Sequence, residues 1–364
     1  MEYLQQFYEK IFGDSNGDSG WGAGTPRKVV AFGNVLLDRT VQIADLDILD
    51  RFQLSMNAKG ELSVETLNSL TAEICESSNC ITNPGGSSLN TVRILKKLGT
   101  EALFFGAVGD DKYAEELRDR LQDYEIDARI ETITETPTGQ CVCLVYEDKT
   151  ALYANIGASA GFSIDLLKRA EKDENKKFLR SIERKQILYI EGFFIPKRED
   201  VCEYIVRNYI RERRRLAINL SAPYIVQRNY EQLLYLARNA YFIFGNVKEF
   251  EAFTEKMGCS SLEKMAEELI QSGLVKIIVI TKGDQGVQVI SNYIEELGEP
   301  GPIVFNSYNA PRVENVLDTT GAGDAFVAGF LHAWLEKRSL SECIRVATDV
   351  AAQVVTQIGC NLPE

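Results

Sequence analysis

Asp318 to Phe326 read DTTGAGDAF, a run of small residues that leads into a stretch with helical spacing of its apolar positions, Phe326, Val327, Phe330, Leu331, Trp334 and Leu335. Gly321, Ala322 and Gly323 therefore stand at a helix N-terminus with no bulky side chain over their amides. Such amides bind anions, and the helix dipole adds to the attraction. Negative charge gathering on a phosphoryl group in transfer suits that position. Asp324 falls in the first turn, where the dipole favours the ionised carboxylate, and a carboxylate there can accept the proton of an attacking hydroxyl. A glycine turn with an aspartate merely favoured at a helix start would explain these four residues alone, so the surrounding segments matter.

Three of those segments offer polar groups at loop positions. Asn83 to Asn90 read NPGGSSLN. Gly85 and Gly86 allow close approach to the backbone, and Ser87 and Asn90 offer side-chain hydrogen bonds, although a serine there also suits a helix N-cap. Gly33 to Asp38 read GNVLLD at the end of the first apolar run. Ligands of open α/β sheets bind at such strand ends, and Asn34 and Asp38 stand there, Asp38 able to accept hydrogen bonds from two vicinal hydroxyls. Asn246 and Glu249 lie three apart on a helix start and so share a face; the same pair is a capping box. Thr281 to Gly286, TKGDQG, reads as a turn after an apolar run. There is no G-x-x-x-x-G-K-[ST] loop and no dinucleotide-binding glycine spacing.

The elements that must carry these groups follow from the apolar pattern. Val29–Gly33, Leu103–Val108, Ile187–Glu191, Leu216–Leu220, Tyr241–Phe244 and Ile277–Thr281 are almost continuously apolar, as strands covered on both faces are. Helical patterns lie between them at 91–98 (ending at Gly99), 228–239 and 262–271. The alternation implies an α/β sandwich. Two stretches break it: 35–60 has no immediate helix, and 127–156 alternates at period two, as half-exposed strands do. Together they are expected to form a small β lid. The strand at 140–145 would turn Cys141 and Cys143 to one face as packing residues. Residues 1–27, which include GDSNGDSGWGAGTP, read as a flexible extension.

Composition prunes the alternatives. The 364 residues are 45% hydrophobic and 26% charged, with a net charge of −13. An acidic chain is a poor partner for nucleic acid or anionic membranes, and the densest basic run, RERRR at 211–215, is expected at a helix end, where cations are favoured. Eight cysteines without a Cys-x-x-Cys pair, and a single histidine, argue against structural zinc. His332 sits in the apolar helix FVAGFLHAWLE, so histidine-based nucleophilic devices are disfavoured. With no signal-like core and no span-length apolar run, the expected setting is reducing and cytoplasmic, with the nucleus as a second compartment.

DTTGAGDAF followed by a small-residue helix, together with GGSSLN at 85–90, resembles the signatures of the ribokinase-like (PfkB) family of sugar and nucleoside kinases, over roughly residues 29–364. The resemblance implies a three-layer α/β/α sandwich with a mostly parallel central sheet and a small β lid, carried by a kinase domain at 28–364. It implies ATP as donor, with Asn246, Glu249, Thr281, Gly283 and Thr320 around ATP and Mg²⁺, the metal held through water by Glu249. A monovalent cation near the loop follows by the same analogy. Asn34, Asp38, Gly85, Gly86, Ser87 and Asn90 would line the acceptor site, with Asp38 on two ribose hydroxyls. GNVLLD at 33–38, FFGAVGDDKY at 104–113, PTGQC at 137–141, NLSAP at 219–223, FGNVKE at 244–249 and GCNLPE at 359–364 are similar to the adenosine-phosphorylating members. YIEGFF at 189–194 supplies the aromatic that those members stack on the base, assigned to Phe194 with Phe193 as the alternative. The implied reaction is transfer of the ATP γ-phosphoryl to the 5′-hydroxyl of adenosine, giving AMP, by a monomer. Three departures stand out: Lys149 and Thr150 where those members carry a lid arginine, Lys59 in place of a glutamine, and DTT in place of DTN. They leave open another nucleoside or sugar kinase of the same fold, or a nucleoside-binding relative with impaired turnover.

Overall fold

Residues 28–77, 80–147, 149–172, 186–210, 215–270 and 274–363 are described by the computed structural model. The N-terminal extension and residues 211–214 of the basic run lie outside them; the helix before that run ends at Tyr209.

The strands are β1 (Lys28–Phe32), β2 (Leu36–Gln42), β3 (Lys59–Glu61), β4 (Ile81–Gly85), β5 (Glu101–Val108), β6 (Asp127–Thr132), β7 (Thr138–Tyr146), β8 (Lys149–Gly157), β9 (Ile187–Glu191), β10 (Arg215–Asn219), β11 (Phe242–Asn246), β12 (Ile277–Thr281), β13 (Val287–Ile294) and β14 (Glu299–Tyr308). Nine of them form one sheet in the order β14-β13-β12-β11-β10-β9-β1-β5-β6. It is parallel from β12 to β6, with β13 and β14 antiparallel at one edge.

Period-two alternation of apolar side chains explains why these strands are apolar throughout. Val29 and Ala31 face one layer, with Phe104, Leu117, Phe330 and Val346. Val30 and Phe32 face the other, with Phe105, Ile205, Leu233 and Phe253. The first layer is built from helices Ser87–Lys97, Lys112–Asp123, Ala322–Leu335 and Leu340–Val354, the second from helices that include Glu199–Tyr209, Tyr230–Asn239 and Val247–Lys256. This is the expected three-layer sandwich. His332 is buried in the first layer with Nδ1 2.6 Å from the Thr100 hydroxyl, away from the cleft between the sheets. No helix among the described residues is long and apolar enough to cross a membrane.

The other five strands form a smaller sheet, β3-β8-β7-β2-β4. One of its faces buries Val41, Val142 and Leu144 against Leu67, Leu70 and Ile74 of helix Val64–Ser77. The other face carries Leu36, Cys141 and Cys143 with Leu152 and Ala154. The sequence boundaries of this sheet need correcting. Residues 127–132, expected in it, pair in parallel with β5 and form the edge of the large sheet. Residues 81–85, not assigned to it, pair with β2. Alternation alone reports a half-exposed strand, and an edge strand of either sheet satisfies it.

Two of the points at which the chain passes between the sheets are 33–35 and Gly86. Gly86 has φ +105°, and a Cβ there would lie 2.1 Å from the Asn34 carbonyl oxygen, so the two crossings touch and only glycine fits. The helix expected from Thr91 already starts at Ser87, directly after this turn.

Candidate active site

The cleft between the sheets holds a cavity of about 410 Å³. Asn34, Asp38, Gly86, Ser87, Asn90, Asn246, Glu249, Thr281, Gly283, Thr320, Gly321, Gly323 and Asp324 all line it. Residues more than two hundred positions apart thus meet because the strand ends and helix starts converge there, as in other open α/β sheets.

Asp324 is the centre. Gly321, left-handed at φ 77°, caps helix Ala322–Leu335 and sets Asp324 in its first turn. The Ser87 hydroxyl donates to Asp324 Oδ1 at 2.6 Å, and Asn90 Nδ2 donates to Oδ2 at 3.1 Å. Gly86, not Ser87, is the N-cap of this helix, and the Ser87 hydroxyl is given to Asp324. Burial pushes the Asp324 carboxyl up to about 6, against the pull of Ser87, Asn90 and Lys59. The helix dipole therefore does not dominate here as the sequence suggested; enclosure does.

Asp318 shapes the loop ahead of it. Its two oxygens accept from the amides of Thr320 and Gly359, each at 2.8 Å. Of the three amides proposed for anion binding, that of Ala322 donates to the Thr319 carbonyl at 3.2 Å, and Ala322 does not line the cavity. Gly321 and Gly323 do. The Thr320 hydroxyl is buried with no partner, a polar group placed for something in the cavity.

Asp38 lies against Gly85: a Cβ on that glycine would sit 1.9 Å from the Asp38 carboxyl carbon. Gly85 does not itself line the cavity, so its missing side chain makes room for Asp38 rather than for a ligand. Burial raises the Asp38 carboxyl to about 7; Arg93 opposes that and Asp324 adds to it. One Asp38 oxygen and Asn34 Oδ1 are buried without partners. Asn34 Nδ2 donates to the Phe193 carbonyl at 3.0 Å.

The aromatic assignment is corrected. Phe194 is fully buried beside Phe32, Phe162 and Arg198 and does not reach the cavity. Phe193 does, with the Tyr224 ring 6.2 Å away and Lys59 Nζ 5.6 Å above it. The two residues lie in a 3-10 turn, Gly192–Phe194, which sends adjacent side chains to different sides, and sequence cannot tell which side faces in. Glu191 ends β9 at the cavity, takes the Phe193 amide at 2.7 Å, and keeps Oε1 unpartnered. Burial raises it to about 7, opposed by Arg198. Glu191 lies within the YIEGFF stretch, singled out in the sequence only for its aromatic; its own signal is an acid at the end of an otherwise apolar strand.

Asn246 and Glu249 form a complete capping box, with Asn246 N and Nδ2 donating to the two Glu249 oxygens at 2.9 and 2.8 Å. The carboxylate also faces the cavity. Among the described residues no group of three or more His, Cys, Asp or Glu could cage a metal. A Mg²⁺ that keeps most of its waters and binds substrate phosphates fits such a site; a fully protein-ligated ion does not. Thr150, beside Lys149, donates to or accepts from Thr319 at 3.1 Å, joining the small sheet to the glycine loop.

The pfkB family carbohydrate kinase model matches residues 61–364. Adenosine kinase 1 of Arabidopsis thaliana is 25% identical over 346 residues, covering 92% of this chain and 96% of that protein. The solved structure of Anopheles gambiae adenosine kinase with P1,P4-di(adenosine-5) tetraphosphate superimposes with TM-score 0.77 at 26% identity, covering 92% of this chain and 98% of that one. A probable sugar kinase of Rhizobium etli reaches TM-score 0.77 at 22% identity, covering 94% and 96%, and shares the fold.

Proposed function

Because the chain belongs to the pfkB family of carbohydrate kinases, and so moves phosphoryl groups onto hydroxyls, we propose that its acceptor is adenosine and its product AMP. The observation that carries this reading is the convergence of Asp324, Ser87 and Asn90 with an aromatic wall at Phe193 in one enclosed cleft.

In this reading the base lies on Phe193, against the apolar face of the small sheet formed by Leu36, Cys141, Leu152 and Ala154. The ribose hydroxyls meet Asp38 and Asn34, whose unpartnered oxygens then acquire donors. Asp324, mostly ionised at neutral pH, accepts the 5′-hydroxyl proton as that oxygen attacks the γ-phosphorus. The Gly321 and Gly323 backbone and the Thr320 hydroxyl face the phosphoryl group. Mg²⁺ on the triphosphate, held through water by Glu249, would supply charge neutralisation. The small sheet keeps bulk water out, which restrains hydrolysis of the donor.

The test is ADP formation over a panel of nucleosides and free sugars, for the wild type and Asp324→Ala. Adenosine should be preferred, and the variant should stay folded while losing about 10²–10⁴ in turnover, the span of a general base. Full activity in the variant would refute the mechanism. Preference for a free sugar or another nucleoside would refute the acceptor.

A further inference from the structure

Arg93 does not line the cavity, yet it touches several of the parts that shape it. It projects from helix Ser87–Lys97 one turn beyond Asn90 and is buried at 7% exposure. Nη1 donates to the Pro84 carbonyl at 3.0 Å and to Asn90 Oδ1 at 3.3 Å. Nη2 donates to Asn361 Oδ1 at 2.8 Å, and the guanidinium stacks over the Tyr124 ring at 5.1 Å.

These contacts have two consequences. Guanidinium groups only donate and carboxylates only accept. With Arg93 on its oxygen, Asn90 must present Nδ2 to Asp324; the flipped amide would set oxygen against carboxylate and NH₂ against guanidinium. Arg93 thereby fixes the orientation of an amide that holds the reacting acid. Through the Pro84 carbonyl it also holds the end of β4, where Pro84 and Gly85 pair with Leu37 and Leu36 and Gly85 seats Asp38. The brace reaches the C-terminal segment, where Gly359 ties to Asp318 and Cys360 packs on Gly321.

We propose that Arg93 is a positioning residue that acts through Asn90 on Asp324 and through Pro84 on the seat of Asp38, coupling the base to the acceptor site, with Asn361 as its anchor. This rests on the acceptor reading given above. Arg93 thus controls acceptor binding and turnover together while standing clear of the donor phosphates.

The test compares wild type with Arg93→Met, Arg93→Lys and Asn361→Ala. It measures kcat, the KM values for adenosine and ATP, and adenosine binding by calorimetry without ATP. Losing a charge-assisted hydrogen-bond network should weaken adenosine binding and lower kcat, each about tenfold or more, in Arg93→Met. The KM for ATP should stay unchanged. Arg93→Lys should recover part of both, because an ammonium can still serve some of the acceptors, and Asn361→Ala should show a smaller loss of the same kind. A general loss of structure would instead reduce the active fraction and leave both KM values alone; that pattern, or unchanged adenosine binding and kcat, overturns the proposal. If Arg93→Met does not fold, wild-type values in both other variants overturn it equally. Wild-type protein that binds adenosine but phosphorylates no acceptor refutes the functional reading, and the Arg93 inference is then decided by the binding arm. Wild-type protein that does neither removes both.

Discussion

Replacing Ser87 with Ala removes the shorter of the two side-chain hydrogen bonds to Asp324, at 2.6 Å. The Asp324 carboxyl stands at about 6 because burial outweighs its donors, of which Ser87 is the strongest. A hydrogen bond to a charged group contributes about 1.5–3 kcal/mol, and one pKa unit corresponds to about 1.4 kcal/mol. The variant's carboxyl should therefore titrate about one to two units higher. At neutral pH the ionised fraction would fall from about nine-tenths to between about one-tenth and one-half. The assay is kcat at saturating adenosine and ATP between about pH 5 and 9, where the acid limb reports the base in the ternary complex. Ser87→Ala should shift that limb upward and approach the wild-type plateau at the alkaline end, where Asp324 is ionised in both proteins. An acid limb that coincides with that of wild type, or an equal loss at every pH, would refute the reasoning.

Two further outcomes follow from the site. Phe193→Ala should raise the KM for adenosine with little change in melting temperature, whereas Phe194→Ala should cost about 3–5 kcal/mol of stability as a core truncation; thermal melts and adenosine titrations of the pair would expose a reversed assignment. Burial raises the Asp38 carboxyl to about 7, above the ordinary aspartate value of 3.8, so the folded protein keeps a proton that the unfolded chain sheds between these values. Its burial penalty is thus absent below that window and complete above it. Asp38→Asn should gain stability over wild type at about pH 8, the gain vanishing near pH 4, while binding adenosine more weakly; urea midpoints that differ equally at both pH values would count against the titration assigned here.

Sequence carried the scaffold well because buried parallel strands announce themselves. Ile187–Glu191 and Ile277–Thr281 are found with the expected bounds, and the others shift by a residue or two. The glycine loop and Asp324 were suggested by small residues before an apolar helix, but their assignment rested on the flanking segments and the resemblance they carry. What was not legible is three-dimensional. Whether Phe193 or Phe194 faces the cleft depends on a short turn. Whether Gly85 receives a ligand or an aspartate depends on the register of β2 on β4. Whether residues 127–132 join the small sheet or the large one depends on which edge is open. Arg93 had a signal, being three positions after Asn90 on one helix face, but its partners Pro84 and Asn361 are brought to it only by the fold.

The charge of the cleft links these observations. Lys59 is the only cation among the described residues that line the cavity, against Asp38, Glu61, Glu191, Glu249 and Asp324. Three of these acids are raised to between about 6 and 7, chiefly by burial, so the site already resists its own negative charge. A triphosphate would meet that field with backbone amides, a threonine hydroxyl and one lysine, and Lys59 itself is occupied by the Ser221 carbonyl at 3.0 Å. Side chains of this chain alone therefore do not neutralise the donor, which is the physical reason for reading the donor as a metal complex. Thr150 takes no part in that balance: it holds the small sheet to the glycine loop through Thr319. In the proposed reading, closure falls to a hydroxyl pair and charge to the ion that would accompany the substrate.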